Sequence, residues 1–207
     1  VFSALEVVPL ALIGAEAFET FSHTKAAPWV ATYRWPIFFF VAVSFWNLLG
    51  AGVFGFMINP PISLYFIQGL NTTATHGHAA LFGVYGMLGI GLLLFCFRGL
   101  ARREAWDDRL LAATFWMLNG GLAMMLFLSL LPVGVIQAIA SIEHGLWFAR
   151  SPAVIHSPLV QTLVWMRVPG DIVFAGGAFT LAIFAAKLLL GARRPAIGKA
   201  ANPIAAE

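Results

Sequence analysis

The sequence predicts an all-α fold: a polytopic bundle of about five transmembrane helices. Three observations carry this prediction. The chain is 60% hydrophobic and only 10% charged, whereas a soluble domain averages roughly 25% charged residues. Its mean hydropathy of +0.87 means more apolar surface than a globule of 207 residues can hide. Finally, the apolar residues gather into five runs, 1–21, 35–58, 71–97, 109–140 and 169–190, and a spanning helix needs about 20 residues.

The elements follow in order. Val1 opens straight into the first run, without the basic region or small-residue cleavage site of a signal peptide. It reads as an entry into the middle of a larger chain. Pro36 and Pro169 fit the first turn of the second and fifth helices, where a missing N–H costs little. The fourth run is too long for a simple crossing and is expected to tilt or protrude. Pro and Gly punctuate the connections, at Pro28, Asn59-Pro60-Pro61, Pro152, Pro158 and Pro169-Gly170. There is no repeat and no low-complexity tract, so residues 1–207 read as one transmembrane domain. Cys96 lies inside an apolar run and is expected to be a small buried hydrophobe.

Charge fixes an expected orientation. Lys25, Arg34, Arg98, Arg102, Arg103, Arg109, Lys187, Arg193, Arg194 and Lys199 fall on one side of the five-span topology, and only Arg150 and Arg167 on the other. The positive-inside rule makes the basic side cytoplasmic. The N-terminus and the starts of the third and fifth helices then face the periplasm of a bacterial inner membrane, with the C-terminus in the cytoplasm. The formal charge of +3 reflects this topology and gives no sign of nucleic-acid binding.

The chemistry concentrates in Thr75-His76-Gly77-His78, which opens the third span. Neutral imidazole is a good ligand for haem iron. Two residues apart on a helix are turned about 200° from one another, so His76 and His78 point to opposite faces and cannot share one metal. Each can take an axial position on a separate haem, with the helix as the wall between. The competing reading is a pair of histidines lining a polar cavity. Burying ionisable groups in a membrane is costly and usually functional, which weighs against it.

Three carboxylate groups are candidates beside them. Glu6 sits near the outer end of the first helix, where it needs a metal, a proton path or water as partner. Asp171, in Arg167-Val168-Pro169-Gly170-Asp171, is placed in the first turn of the fifth span; helix capping is its ordinary explanation, but its depth matches that of the histidines. Glu16 and Glu19 read as solvated or proton-path residues. Glu143 and His144 read as interfacial, and His23 and His156 as loop residues.

The run NTTATHGHAALFGVYGMLGIGLLLFCFRGL, from Asn71 to Leu100, resembles the haem-ligating helix of bacterial respiratory nitric oxide reductases, within the haem-copper oxidase superfamily. SALEVVP at Ser3–Pro9 resembles the helix carrying their active-site glutamate, and WNLLGAGVFGFMINPP from Trp46 also matches. VWMRVPGDIVFAGGAF from Val164 is similar to the quinol-dependent, single-chain branch. The resemblance implies that His76 is the proximal ligand of the high-spin haem b3 and His78 one axial ligand of the low-spin haem b. It implies that Glu6 reaches the non-haem iron (FeB) and that Asp171 lies at the quinol site. The implied reaction reduces two nitric oxide molecules to nitrous oxide and water, with electrons passing from membrane quinol through haem b.

In that family the remaining iron ligands stand on earlier helices. The chain is therefore expected to be the C-terminal part of a larger catalytic subunit and to need that subunit's N-terminal helices as partners, within the lipid bilayer. The first helix shows no intramembrane lysine of the kind that marks the proton channel of related oxidases, which favours a reductase. A cytochrome c-dependent reductase, a haem-copper terminal oxidase, and a non-catalytic haem-binding anchor or ion transporter stay open as alternatives.

Overall fold

The computed structural model describes residues 7–24, 26–100 and 105–192. Among them the secondary structure is helical, with no strand. The helices are α1 (Val7–Thr24), α2 (Pro28–Thr32), α3 (Arg34–Ile58), α4 (Pro61–Ile67), α5 (Asn71–Leu100), α6 (Asp108–His144), α7 (Leu146–Ala149), α8 (Pro152–Ile155), α9 (Pro158–Trp165) and α10 (Arg167–Ala192). Four stretches of described residues are long and apolar enough to cross a membrane: α3, α5, α6, and α9 continuing through α10 to Leu190. The chain is a polytopic helical membrane protein.

Several boundaries differ from expectation. The first run, placed at 1–21, is described only from Val7 and stays helical to Thr24. It therefore carries His23, expected in a loop, in its last turn. The fourth run, expected at 109–140, is a continuous helix of 37 residues, about 55 Å at 1.5 Å per residue. That is well beyond the roughly 30 Å of hydrocarbon, so protrusion or tilt follows from length alone. Asp107 starts this helix: its carboxylate accepts from the backbone N–H groups of Arg109 and Leu110, at 3.1 and 3.2 Å, as an N-cap should. Cys96 is exposed on α5, not buried. A helix facing lipid is apolar on every side, so apolar neighbours do not report an inward direction.

Glycine sets the spacing of the bundle. A Cβ built at Gly121 of α6 would lie 2.5 Å from the backbone nitrogen of Phe174 in α10. One at Gly170 would lie 2.7 Å from the Met125 nitrogen, and one at Gly177 2.9 Å from the Leu118 nitrogen. These two helices thus run backbone against backbone, the arrangement small residues permit where lipid removes the usual hydrophobic drive. Thr114 and Thr180 bridge them through hydroxyls 2.9 Å apart. Helices α3 and α5 meet the same way: a Cβ at Gly50 would come 2.8 Å from that of Ala79, and one at Gly83 would strike the Trp46 side chain. Trp46 is 1% exposed and its indole N–H donates to Asn119 of α6 at 2.8 Å, tying α3 to α6.

Polar contacts divide between the two ends. At one end Trp35 donates to Asp108, Arg98 donates to the Thr32 carbonyl and stacks on Trp106, and Lys187 pairs with Asp107. At the other lie the starts of α5 and α10 and the end of α6, where Arg150 donates to the Gln68 carbonyl.

Gly121→Leu should therefore lower the thermal unfolding midpoint of the purified protein, by the equivalent of about 3 kcal/mol or more. Gly120→Ala is the control: nothing lies within 4 Å of its added methyl, so its midpoint should hold or rise slightly. The Asp107 pair makes a pH prediction. The hydrogen bond from Lys187, with the Leu110 N–H next, holds the Asp107 carboxyl below its ordinary value of 3.8. A depressed carboxylate stabilises the fold above its unfolded pKa, and that contribution disappears as pH falls through the folded value. Unfolding followed from pH 7 down to acid should show the wild-type advantage over Asp107→Asn shrinking below about pH 4.

Candidate functional site

The histidine helix begins abruptly. Gly69 takes a left-handed φ of +67°, and Leu70 at the N-cap offers no side-chain cap. The Asn71 N–H is instead met from another helix, by Gln137 Oε1 at 2.9 Å. Within the first turns Thr75 donates back to the Asn71 carbonyl at 2.8 Å. His76 and His78 follow in the second turn.

The two imidazoles meet different helices. His76 Nδ1 lies 2.8 Å from the Gly50 carbonyl of α3, and a Cβ built at Gly55 would stand 3.4 Å from its Cε1. His78 Nδ1 lies 2.9 Å from the Ala74 carbonyl one turn back. Its ring sits 5.6 Å from that of Phe82, which packs on Phe174 of α10, and its Nε2 is 3.1 Å from the Arg167 guanidinium. A carbonyl oxygen only accepts, so Nδ1 carries the proton in both rings and the lone pair resides on Nε2. Fixing the tautomer through the far nitrogen is how a protein prepares imidazole to bind a metal. The donor chemistry therefore fits an iron axial ligand at each histidine.

The backbone is specialised at this level. Residues Asn47–Phe54 of α3 and Ala79–Gly86 of α5 are π-helical, and the two stretches face one another. Such insertions are rare and concentrate at functional sites. The wider turn leaves the Gly50 carbonyl accepting from the Gly55 N–H while it also holds His76.

Asp171 does not cap its helix. Helix α10 starts at Arg167, so Asp171 lies past the first turn, which contains no acidic residue. Its carboxylate instead accepts from Arg167 Nε at 3.1 Å, forming a chain from Asp171 through Arg167 to His78. Charge topology alone marks Arg167 only as one of two cations on the outer side. Its four-residue spacing from Asp171, which places both on one helix face, is the signal in the sequence that links them.

The other candidates are dispersed. Glu6 lies outside the described residues. Glu16 lines a groove between α1 and α3 with Thr20, Trp29 and Ser44. Glu19 pairs with His23 at 3.8 Å, and Glu143 with His144 at 3.8 Å, all well exposed. Among the described residues no three His, Cys, Asp or Glu side chains converge on a metal position.

A bundle of apolar helices with two histidines on opposite faces of one span defines a class, the membrane-embedded oxidoreductases that hold metal centres between their helices. The chain belongs to the cytochrome C and quinol oxidase polypeptide I family, which it matches over residues 1–173. This is a haem-copper oxidase family, and it brings haem and metal cofactors in general. The chain is also similar to a nitric oxide reductase subunit of Stutzerimonas stutzeri, at 31% identity over 159 residues. That match covers 74% of this chain and 31% of the relative, so the chain spans about a third of that relative's length.

Proposed function

We propose that this chain is the C-terminal, haem-ligating part of a quinol-dependent nitric oxide reductase in a bacterial inner membrane. The observation that carries the reading is the pair of imidazoles, each anchored at Nδ1 and directed to opposite sides of α5. The relative named as a nitric oxide reductase subunit supports the reaction class. Two nitric oxide molecules, two electrons and two protons give nitrous oxide and water. Haem and non-haem iron, when bound, supply one-electron transfer and a surface on which nitric oxide is reduced.

The residues divide the work. His76 offers Nε2 to the high-spin haem b3 and holds its orientation through Gly50. His78 offers Nε2 to the low-spin haem b. Iron on that nitrogen and the Arg167 hydrogen bond need the same lone pair, so ligation leaves Asp171 as the partner of Arg167. Glu6 reaches toward the non-haem iron (FeB), whose remaining ligands stand on the N-terminal helices of the same subunit. Asp171 accepts a proton or hydrogen bond from quinol beside haem b, held in place by Arg167 four residues earlier. The single helix between the two histidines gives electrons a short path from one haem to the other. The basic end carrying Arg34, Arg98 and Lys187 faces the cytoplasm.

In the full-length subunit, His76→Ala should abolish the high-spin haem signal and leave the low-spin signal, while His78→Ala does the reverse. Absorption and paramagnetic resonance spectra read both, and an intact pair of signals in either variant refutes two-faced ligation. Asp171→Asn should slow quinol-driven turnover by about tenfold, and turnover with an artificial donor far less. Equal losses with both donors would assign Asp171 a structural role and reopen a cytochrome c donor.

A further inference from the structure

The apolar bundle has one polar joint that the proposed chemistry does not use. Among the described residues the buried polar side chains are Thr72, Thr75, Thr114, Ser129, Gln137 and Ser141. Four of these six gather where α6 crosses the start of α5. Gln137 is 7% exposed and Ser141 1% exposed. Gln137 accepts from the Asn71 N–H at 2.9 Å and extends its amide toward the Ala149 carbonyl at 3.5 Å. Ser141 donates to the Phe66 carbonyl. Gly134 completes the face: a Cβ there would stand 2.6 Å from the Thr72 nitrogen. Gly134, Gln137 and Ser141 follow one another at spacings of three and four, so they form a single stripe on α6.

We propose that Gln137 is a positioning residue for both histidines. It grips the first N–H of α5, a donor that the helix itself leaves unpaired and that Leu70 does not cap. His76 and His78 follow five and seven residues later on the same rigid helix. The height and rotation of α5 therefore pass to both imidazoles together. Gly134 lets the helices close until the amide reaches, and Ser141 anchors the incoming chain one turn away. An uncompensated amide at this depth would be costly, so its retention in α6 answers to a contact. The inference rests on the reading of His76 and His78 as haem ligands.

The test uses the full-length, haem-loaded subunit carrying Gln137→Leu, Gln137→Glu or Ser141→Ala. Gln137→Leu keeps the buried volume and removes the acceptor. It should shift the low-spin and high-spin haem signals together, at unchanged haem content per folded protein, and lower turnover by about tenfold. Gln137→Glu, whose neutral carboxyl still accepts from Asn71 and donates, should restore both signals. Wild-type signals in Gln137→Leu overturn the proposal, as does a lower yield of protein whose remaining signals are unmoved, which marks plain packing. If Gln137→Leu does not accumulate, Ser141→Ala decides: a smaller joint shift supports positioning, and no shift overturns it. Failure of the ligand assignment is seen separately, as both haem signals surviving His76→Ala and His78→Ala.

Discussion

Everything in this bundle depends on how closely its helices approach. Lipid is as apolar as leucine, so burying leucine between helices gains little there. What remains is van der Waals contact, and it weakens within fractions of an ångström. Glycine removes the side chain that would hold two backbones apart. Gly121, Gly170 and Gly177 do so between α6 and α10, and Gly50 and Gly83 between α3 and α5. The Gly50 contact also brings a main-chain carbonyl to His76. The packing device and the ligand-orienting device are therefore one contact.

Close approach also decides where polar groups survive. Each buried hydroxyl or amide needs a partner within hydrogen-bond reach. Trp46 finds Asn119, Thr114 finds Thr180, and Gln137 finds Asn71, always across a helix pair. These bonds have direction, which dispersion lacks. They fix which helix faces which and at what height, a choice that leucine contacts alone leave degenerate.

The helical class and four spans are legible in the sequence because spanning imposes a length and an apolar composition, and both are local properties. The separation of His76 from His78 is legible too, since it follows from the pitch of any helix. Burial is not. The apolar neighbours of Cys96 suggest an inward side chain, yet an outward face in lipid is equally apolar. The role of Asp171 depends on where α10 starts, and the structure sets that start at Arg167, two residues ahead of Pro169. Nothing local singles out Gln137, because its partner is 66 residues away. Glu6 can be weighed only as sequence.

The paired π-helical stretches, Asn47–Phe54 and Ala79–Gly86, constrain how this region can change its length. Removing one residue from such a stretch would tighten it to ordinary α-helix and turn everything beyond it by about 100°. In α5 the histidines precede the stretch, while Gly91 and Leu94, which pack inward, follow it. A deletion there would keep both imidazoles and both inward residues and still point one half of the helix away from its neighbours. Compensation would require a matching change in α3. The two helices are thereby bound to vary in length together, so substitution is open to this wall of the bundle in a way that insertion and deletion are not.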